Sequence, residues 1–523
     1  ILVDDRSEMD RETNDLLQVL GLSHLLSISG LHVGIIATLF FSLLLFLFKR
    51  SVRLTTLFPV KKIAAGVTFV PVLLYILMAN APSPAVRTGI MVSCYLASLI
   101  FYRELKPWNT LSAAALLLLA WSPVVLFERS FQLSFLAMIG LLTILIAPPF
   151  EKKGMLAKTA LISLATLLMT APIASSFSQT FSLAGLLCNF VAIPLFSFIL
   201  LPLAFCGGFL GLLFPPIGSF FMKMAGLLSD LFFRGMDFIL PWMTKLAWPV
   251  SLTTTEMILF YLFLGSVILF CFRPENFRKK IVLSSLTLVL FLTTFIFPFV
   301  SPLFSDQLKV HFLDVGEGDS ILVEFPGGPR WLVDTGGFLI PPKPGEPEPF
   351  NTGERVVLPY LLRHRIYHLD KIFITHSHPD HEGGLPPLLK KISVGEVRHS
   401  PARTEPLTIN GVRVEELYPS QAVDFSNNND SLVLRLSYGK HSFLLTGDLE
   451  ADGEKRLLAI GKNLHSTILK VPHHGSNTSS TLPFLEAVRP ELAVISCGYK
   501  NLFHFPRPEV LERYKELGIP VVR

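Results

Sequence analysis

The chain has 523 residues, too many for one domain at roughly 150 residues per domain. Hydrophobic residues make up 51% of it and charged residues 16%, against about 25% charged in ordinary soluble domains, which excludes a wholly soluble protein. Residues 1–303 carry 21 Lys and Arg against 13 Asp and Glu, whereas residues 304–523 carry 24 against 27. The sequence therefore predicts a membrane domain over 1–303 and a slightly acidic soluble domain over 304–523.

The membrane domain opens with an acidic stretch, for which we predict an amphipathic surface helix over 1–19. Apolar runs long enough to cross a hydrocarbon core of about 30 Å follow it. They predict eight to ten helices, some of them broken by proline or glycine, near 25–48, 63–79, 85–102, 110–121, 131–147, 159–177, 185–214, 224–240, 256–272 and 281–300.

Lys and Arg cluster in the loops at 49–62, 103–106, 152–158 and 273–280. Short loops rich in Lys and Arg stay on the cytoplasmic side. The run at 281–300 then leads outward, and we expect residues 304–523 on the outer face of the cytoplasmic membrane.

The first apolar run contains polar side chains in the stretch GLSHLLSISGLHVG, at 21–34. Polar groups in hydrocarbon need either partners or water. We therefore expect this segment to line an aqueous path, although contacts between helices would also satisfy such groups. The predicted lining residues are His24, Ser27, Ser29 and His32.

Four stretches resemble the membrane region of the ComEC family: GLSHLLSISGLHVG, PSPAVRTGIM, FQLSFLAMIGL and NFVAIPLFSFILLPLAF. The resemblance covers most of residues 20–300. It implies a channel that admits single-stranded DNA through the cytoplasmic membrane during natural transformation, with a DNA receptor and a motor as protein partners. Such proteins usually carry a further N-terminal domain. Because the sequence starts at Ile1 rather than Met, we expect it to be part of a longer chain.

In the soluble domain, apolar strands alternate with helices, which predicts an α/β fold with two sheets between helices. The stretch THSHPDHEGG at 375–384 follows one apolar strand. Alternate residues of an extended segment point to one side, so His376 and His378 can hold one cation. After the turn, Asp380 and His381 can face a second. Imidazole and carboxylate ligands suit Zn²⁺, Mn²⁺ or Fe.

The complete H-x-H-x-D-H pattern is similar to that of the metallo-β-lactamase fold, an αββα sandwich. This resemblance implies that Asp448 bridges the metals, that His504 is the last ligand and that Asp334 supports the ligand loop. The sequence reads NNND at 427–430, where the family usually has a further histidine. That departure weakens one metal position and favours Mn²⁺ over Zn²⁺, with one or two ions bound.

Three more residues stand in short motifs, and each is either a ligand, a substrate contact or a structural group. They are Asp319 in VGEGDS and His473 and His474 in VPHHGS.

The predicted reaction is hydrolysis of DNA phosphodiester bonds in the strand that does not enter, with Asp380 and Asp448 as catalytic residues. Two alternatives stay open: a membrane-anchored metallohydrolase of a small molecule, and a channel whose metal domain is inactive and only guides DNA. Eight or more helices with polar residues in mid-span exceed what an anchor needs and argue against the first alternative, whereas NNND at 427–430 keeps the second open. The slightly acidic soluble domain lacks the basic stripe typical of nucleic-acid binders, so charge adds little support for DNA binding.

Overall fold

The computed structural model describes residues 13, 16–17, 19–22, 30–146, 150, 153–272, 277–338, 350–399, 405–419 and 425–523. The chain forms two compact units, Ile1–Phe291 and Leu292–Arg523. The sequence predicts the domain boundary slightly later, at 303/304. Most of the surface helix predicted over 1–19 lies outside the described residues, as do His24, Ser27 and Ser29.

The first unit is helical, as its apolar runs predict. Its helices, the last of which continues into the second unit, span Gly30–Lys49, Val52–Leu57, Val60–Met78, Ser83–Phe101, Pro107–Trp121, Arg129–Ile146, Met155–Ser178, Ala184–Leu195, Leu201–Leu213, Pro215–Met243, Thr254–Phe272 and Phe277–Val300. Two short strands, β1 (Thr180–Ser182) and β2 (Ala247–Pro249), pair antiparallel.

Among the described residues, seven helices are long and apolar enough to cross a membrane, fewer than the eight to ten predicted. Pro107–Trp121 has only 15 residues, a length of about 22 Å at 1.5 Å per residue. Pro215–Met243 carries four charged residues at i, i+7, i+11 and i+14, a single polar face typical of a helix lying along a membrane surface. These four residues are Lys223, Asp230, Arg234 and Asp237.

The break predicted within 185–214 takes the form of a π-helical turn. Pro194 lies just before this turn, Phe196–Leu200, which joins Ala184–Leu195 to Leu201–Leu213 in one apolar stretch. Proline lacks the N–H that an α-helix needs, and a wider turn accommodates the missing bond. The helix is therefore distorted and still continuous.

Close contacts join three of the helices near the start of the first one. Arg87 is buried, and its Nε donates a hydrogen bond to Oγ of Ser134 at 2.8 Å. A Cβ atom at Gly30 would overlap the Thr88 side chain, so only glycine permits this approach of the first helix. His32 is buried on the same helix.

The second unit contains two sheets. The five-stranded sheet has the order β3–β4–β5–β6–β7, and the seven-stranded sheet has the order β14–β13–β12–β11–β10–β9–β8. The strands are β3 (Lys309–Phe312), β4 (Ile321–Glu324), β5 (Arg330–Val333), β6 (His368–Phe373), β7 (Ser393–Arg398), β8 (Leu407–Ile409), β9 (Val412–Tyr418), β10 (Val433–Tyr438), β11 (His441–Leu445), β12 (Ile468–Lys470), β13 (Leu492–Val494) and β14 (Val521–Val522).

The inner faces of the two sheets share one apolar core, in which Trp331 and Phe373 of one sheet pack with Leu434 and Leu445 of the other. Helices cover the outer faces. Leu358–Arg363 and Leu385–Lys391 pack on the five-stranded sheet, and Ala451–Ala459, Leu482–Val488 and Pro508–Glu516 pack on the seven-stranded sheet. The short helix Pro379–Glu382 follows β6. This arrangement confirms the predicted αββα sandwich.

Candidate metal centre

The candidate ligands follow the carboxyl ends of strands. Asp334 comes directly after β5, and His376 follows the parallel neighbour β6. In the other sheet, Asp448 follows β11, and His474 follows the parallel neighbour β12. Because parallel strands end at the same edge, the fold gathers segments that are far apart in sequence.

Asp334 fixes the loop that carries the histidine motif. Its carboxylate accepts hydrogen bonds from the N–H of Thr375 at 2.7 Å, from Oγ1 of Thr375 at 2.8 Å and from Nδ1 of His381 at 2.9 Å. The bond to Nδ1 sets the ring orientation of His381 and directs Nε2 towards the centre. Asp334 therefore lies behind His381 and holds its ring in place.

Four side chains, Asp380, His381, Asp448 and His474, each bring one ligand atom to within 4.8 Å of the others. Nε2 of His381 and Nε2 of His474 both lie 3.2 Å from Oδ2 of Asp448. Oδ2 of Asp380 lies 3.8 Å from Nε2 of His381 and 4.0 Å from Nε2 of His474. The side chain of Asp380 is 19% exposed, whereas the other three are buried.

These nitrogen atoms fit a divalent cation. Among the described residues, the buried Nε2 atom of His376 has no hydrogen-bond partner, whereas those of His381 and His474 face Oδ2 of Asp448 at 3.2 Å. A buried polar atom without a partner is costly, and a cation removes that cost. Burial opposes the charged form of His381, but Asp448 and Asp334 outweigh it and raise its pKa well above the usual value. A cation bound at Nε2 must therefore displace a proton.

His376 and His378 differ in their surroundings. Nε2 of His376 lies 4.0 Å from Oδ2 of Asp448, and burial, with His381 next to it, lowers the pKa of His376 well below the usual value. His376 is thus neutral, the form that binds metals. Nε2 of His378 instead lies 3.1 Å from the carbonyl oxygen of Ser426. The structure brings His376 to the cluster and leaves His378 at its rim.

His504 does not join this cluster. It lies on an exposed loop at φ +56°, and its backbone N–H bonds to the carbonyl oxygen of Asn501. The cluster instead contains His474, whose Nδ1 lies 2.8 Å from the carbonyl oxygen of Ser496. The reason is geometric: β12 runs beside β11, so the residue after β12 reaches Asp448, while the His504 loop packs farther out.

His473 points away from the cluster. Its Nδ1 pairs with Oε1 of Glu450 at 3.0 Å, and Nδ2 of Asn428 lies 3.4 Å from its Nε2. Burial lowers the pKa of His473. Both His473 and His474 have positive φ, a conformation that is costly outside glycine and that aims the two rings in different directions.

Lys470 also lies at the site, although the sequence analysis did not predict it there. Its ammonium is completely buried, forms an ion pair with Asp319, lies 3.6 Å from Oδ1 of Asp448 and donates to the carbonyl oxygen of Gly447 at 2.9 Å. Burial by itself would lower the pKa of Lys470, but Asp319 and Asp448 reverse the effect and raise it. The available signal was a charged residue closing an apolar strand, in ILKVPHHG.

Asp319 has a second contact with the site. With Asp334 and His381 it forms a buried group of ligand atoms within 4.8 Å of one another. The turn that carries it is held close to the histidine motif, since a Cβ at Gly318, where φ is +106°, would overlap the carbonyl oxygen of Asp380.

Comparison with known protein families identifies the family to which this chain belongs. The family model described as "Competence protein" matches residues 1–275, which is more than half of the chain. The chain belongs to the Competence protein family. The model of the metallo-beta-lactamase superfamily matches residues 313–420 of this competence chain. Both matches confirm the resemblances seen in the sequence, and together with the apolar helices they make this a membrane protein of DNA uptake in competence.

Curated relatives agree over nearly the whole competence chain. It is 29% identical to ComE operon protein 3 of Bacillus subtilis, covering 100% of this chain and 69% of that protein. It is also 29% identical to Competence protein ComA of Neisseria gonorrhoeae, covering 96% of this chain and 69% of that protein.

Solved structures resemble the second unit only weakly. CmlA, a diiron beta-hydroxylase from Streptomyces venezuelae, is 12% identical over 42% of this chain and 53% of that chain, with a TM-score of 0.27. A diphosphatase of the PhnP family is 14% identical over 39% of this chain and 81% of that chain, with a TM-score of 0.23.

Proposed function

We propose that this chain carries single-stranded DNA across the cytoplasmic membrane and that its second unit hydrolyses phosphodiester bonds of the strand that does not enter. One observation supports the hydrolysis above others. Two buried imidazole nitrogens, Nε2 of His381 and Nε2 of His474, each lie 3.2 Å from one oxygen of Asp448, beside the partly exposed Asp380. Such a donor set suits Zn²⁺ or Mn²⁺.

The residues that would hold a cation are His376, Asp380, His381, Asp448 and His474. A divalent cation supplies a nucleophilic water at neutral pH and offsets the charge of a phosphodiester. The chain's own groups do the rest. Asp334 orients His381, and Lys470 balances the charge of Asp448 from its other oxygen.

Asp380 is the carboxylate that solvent and substrate reach. Its side chain is 19% exposed, and Asp448 beside it is 3% exposed. A carboxylate at the mouth of the site can accept a hydrogen bond from the attacking water and orient it towards the phosphorus atom. We therefore assign the positioning of the attacking water to Asp380, and to Asp448 the role of a buried negative charge that would hold the cation.

The location of the second unit is part of the proposal. Four basic residues, Arg273, Arg278, Lys279 and Lys280, lie at or just before the start of the apolar helix Arg278–Phe304. Such a cluster favours the cytoplasm, and this helix then leads outward. Cleavage outside the membrane would leave one strand for entry. Lys and Arg outside the cytoplasm would be accessible to reagents that do not cross membranes, which makes the location measurable.

The test is a cleavage assay on the purified full chain with Mn²⁺ or Zn²⁺ and labelled single-stranded or duplex DNA. The wild-type chain should cleave DNA, and Asp380→Ala and Asp448→Ala should each reduce cleavage at least 100-fold. His465→Ala, an exposed histidine outside the site, serves as the matched control and should cleave like wild type.

Two outcomes would contradict the proposal and point to its alternatives. If the wild-type chain binds metal but leaves DNA intact, the second unit acts as an inactive guide. If Asp380→Ala abolishes hydrolysis of small esters while DNA is never cleaved, the chain is a small-molecule hydrolase.

A further inference from the structure

A loop beside the metal centre exposes an unusual number of aromatic rings. We call residues 499–507, YKNLFHFPR, the aromatic loop. Tyr499 is 91% exposed, Leu502 75% and Phe503 47%. Large apolar side chains grouped on the surface of a water-facing domain commonly mark a binding site.

The aromatic loop is held in place, so the exposure is built into it. The side chain of Asn501 donates to the carbonyl oxygens of Gly498 at 2.9 Å and Phe505 at 2.7 Å, and accepts from the N–H of Phe505 at 2.9 Å. At the far end, the N–H of Arg507 donates to the carbonyl oxygen of Gly475 at 2.9 Å. A fixed loop loses little conformational entropy on binding.

Rings and cations alternate along the aromatic loop. Phe503 stacks on Phe505, with ring centroids 5.5 Å apart and planes at 24°. Nζ of Lys500 lies 5.4 Å from the ring centre of Tyr499, and the guanidinium of Arg507 lies 5.8 Å from that of Phe505. Exposed π faces with cations between them are the chemistry that binds unpaired bases and the phosphates joining them.

The aromatic loop is also continuous with the metal centre. Phe505 packs edge-on against His473, with ring centroids 5.8 Å apart, and His473 precedes the cluster residue His474. Pro506 lies so close to Gly475 that a Cβ atom added at Gly475 would be only 2.5 Å from Cβ of Pro506. The aromatic loop therefore adjoins the segment that carries the cluster residue His474.

We propose that the aromatic loop is a stacking platform for single-stranded DNA. Tyr499 and Phe503 hold bases, and Lys500 and Arg507 contact phosphates. This inference rests on the proposed function, since it takes DNA as the substrate class. It adds to that function the selection of unpaired bases, because a duplex keeps its π faces stacked inside and cannot offer them to the loop.

The test measures binding of a fluorescein-labelled oligothymidine to the purified full chain in detergent, with EDTA present so that cleavage plays no part. Tyr499→Ala and Phe503→Ala should each weaken binding of the oligothymidine by about 5- to 100-fold, the usual loss for one stacked base. Tyr499→Trp keeps an aromatic ring at this position and should bind the oligothymidine like wild type. Leu502→Ala is the matched control, since the exposure of Leu502 lies between those of Tyr499 and Phe503 but its side chain has no π face, and it should bind like wild type.

A second measurement separates the loop from other DNA contacts of the chain. Photocrosslinking with 5-iodouracil oligonucleotides, followed by peptide mapping, should label Tyr499 or Phe503 in the wild type. Labelling should disappear when duplex DNA replaces the single strand.

The proposal is overturned if both alanine variants bind oligothymidine like wild type, or if Leu502→Ala loses as much affinity as they do. It is also overturned if the variants change flotation with anionic phospholipid vesicles and leave DNA binding intact, because the loop is then a lipid contact. Failure of the proposed hydrolysis looks different: wild-type chain would not cleave DNA with metal, while the dependence of binding on Tyr499 and Phe503 would persist.

Discussion

The ammonium of Lys470 lies 3.6 Å from Oδ1 of Asp448, in a position closed to solvent. The other oxygen of that carboxylate, Oδ2, faces Nε2 of His381 and of His474 at 3.2 Å. Asp448 therefore lies between a permanent cation supplied by the chain and the place where a metal cation would bind. Together, Lys470 and the metal would neutralise the buried carboxylates Asp319 and Asp448.

This relationship predicts that Lys470→Met destabilises the second unit. The change keeps the volume of the side chain but leaves Asp319 and Asp448 without their buried partner, a loss of about 3–5 kcal/mol. Added Mn²⁺ should restore more thermal stability to the variant than to wild type. Thermal unfolding with and without metal checks both effects. The exposed change Lys440→Met is the control, and an equal loss of stability there would contradict the role of Lys470.

The second prediction separates two histidines. Because His474 lies in the cluster and His504 does not, His474→Ala should remove bound metal and His504→Ala should retain it. Metal content after gel filtration, measured by mass spectrometry, decides between them. Retention by His474→Ala together with loss by His504→Ala would restore the ligand set predicted from the sequence.

The third prediction concerns the support behind a ligand. Asp334→Asn loses one acceptor oxygen, so it cannot accept all of its hydrogen bonds from Thr375 and His381. Loss of such a support typically weakens metal binding by about 10- to 100-fold. Calorimetric titration with Zn²⁺ measures the change. Asp452→Asn, at an exposed position, should bind metal like wild type.

The fourth prediction is a pH dependence away from the metal centre. Burial by itself would raise the pKa of Glu324, but hydrogen bonds from His311 and Arg330, each 3.0 Å long, bring it to about 2. A carboxyl whose pKa is lowered by folding adds stability above its unfolded value, about 4.3, and that stability is lost as pH falls towards 2.

Glu324→Gln should therefore reduce the protection of nearby backbone amides against hydrogen exchange at neutral pH. The difference in protection from wild type should shrink as the pH falls from about 4.3 to 2. Hydrogen–deuterium exchange of peptides covering 309–333, compared at each pH, gives the measurement. Glu491→Gln is an exposed control. A difference that grows as pH falls would contradict the sign.

Periodicity and motif spacing were enough for much of the fold. Strands β5, β6 and β11 end in short apolar runs, WLV, IF and FLL, which are largely buried, and they were predicted. By contrast, β7 and β9 carry charged residues on an exposed side, in SVGEVR and VRVEELY, and were not. The helix Pro215–Met243 has the length of a membrane span, but its charges share one face, which an average hydropathy hides.

The sequence by itself determined the two-part architecture, the membrane character of the first part and the histidine motif at 376–381, because composition and local spacing carry those features. Only the tertiary structure decided the rest of the centre. His474, Lys470 and Asp319 reach it because β12 pairs beside β11 and because the turn around Gly318 closes over Asp380. Such contacts join residues about 20 to 150 positions apart, and local patterns contain no information about which distant strands will lie side by side.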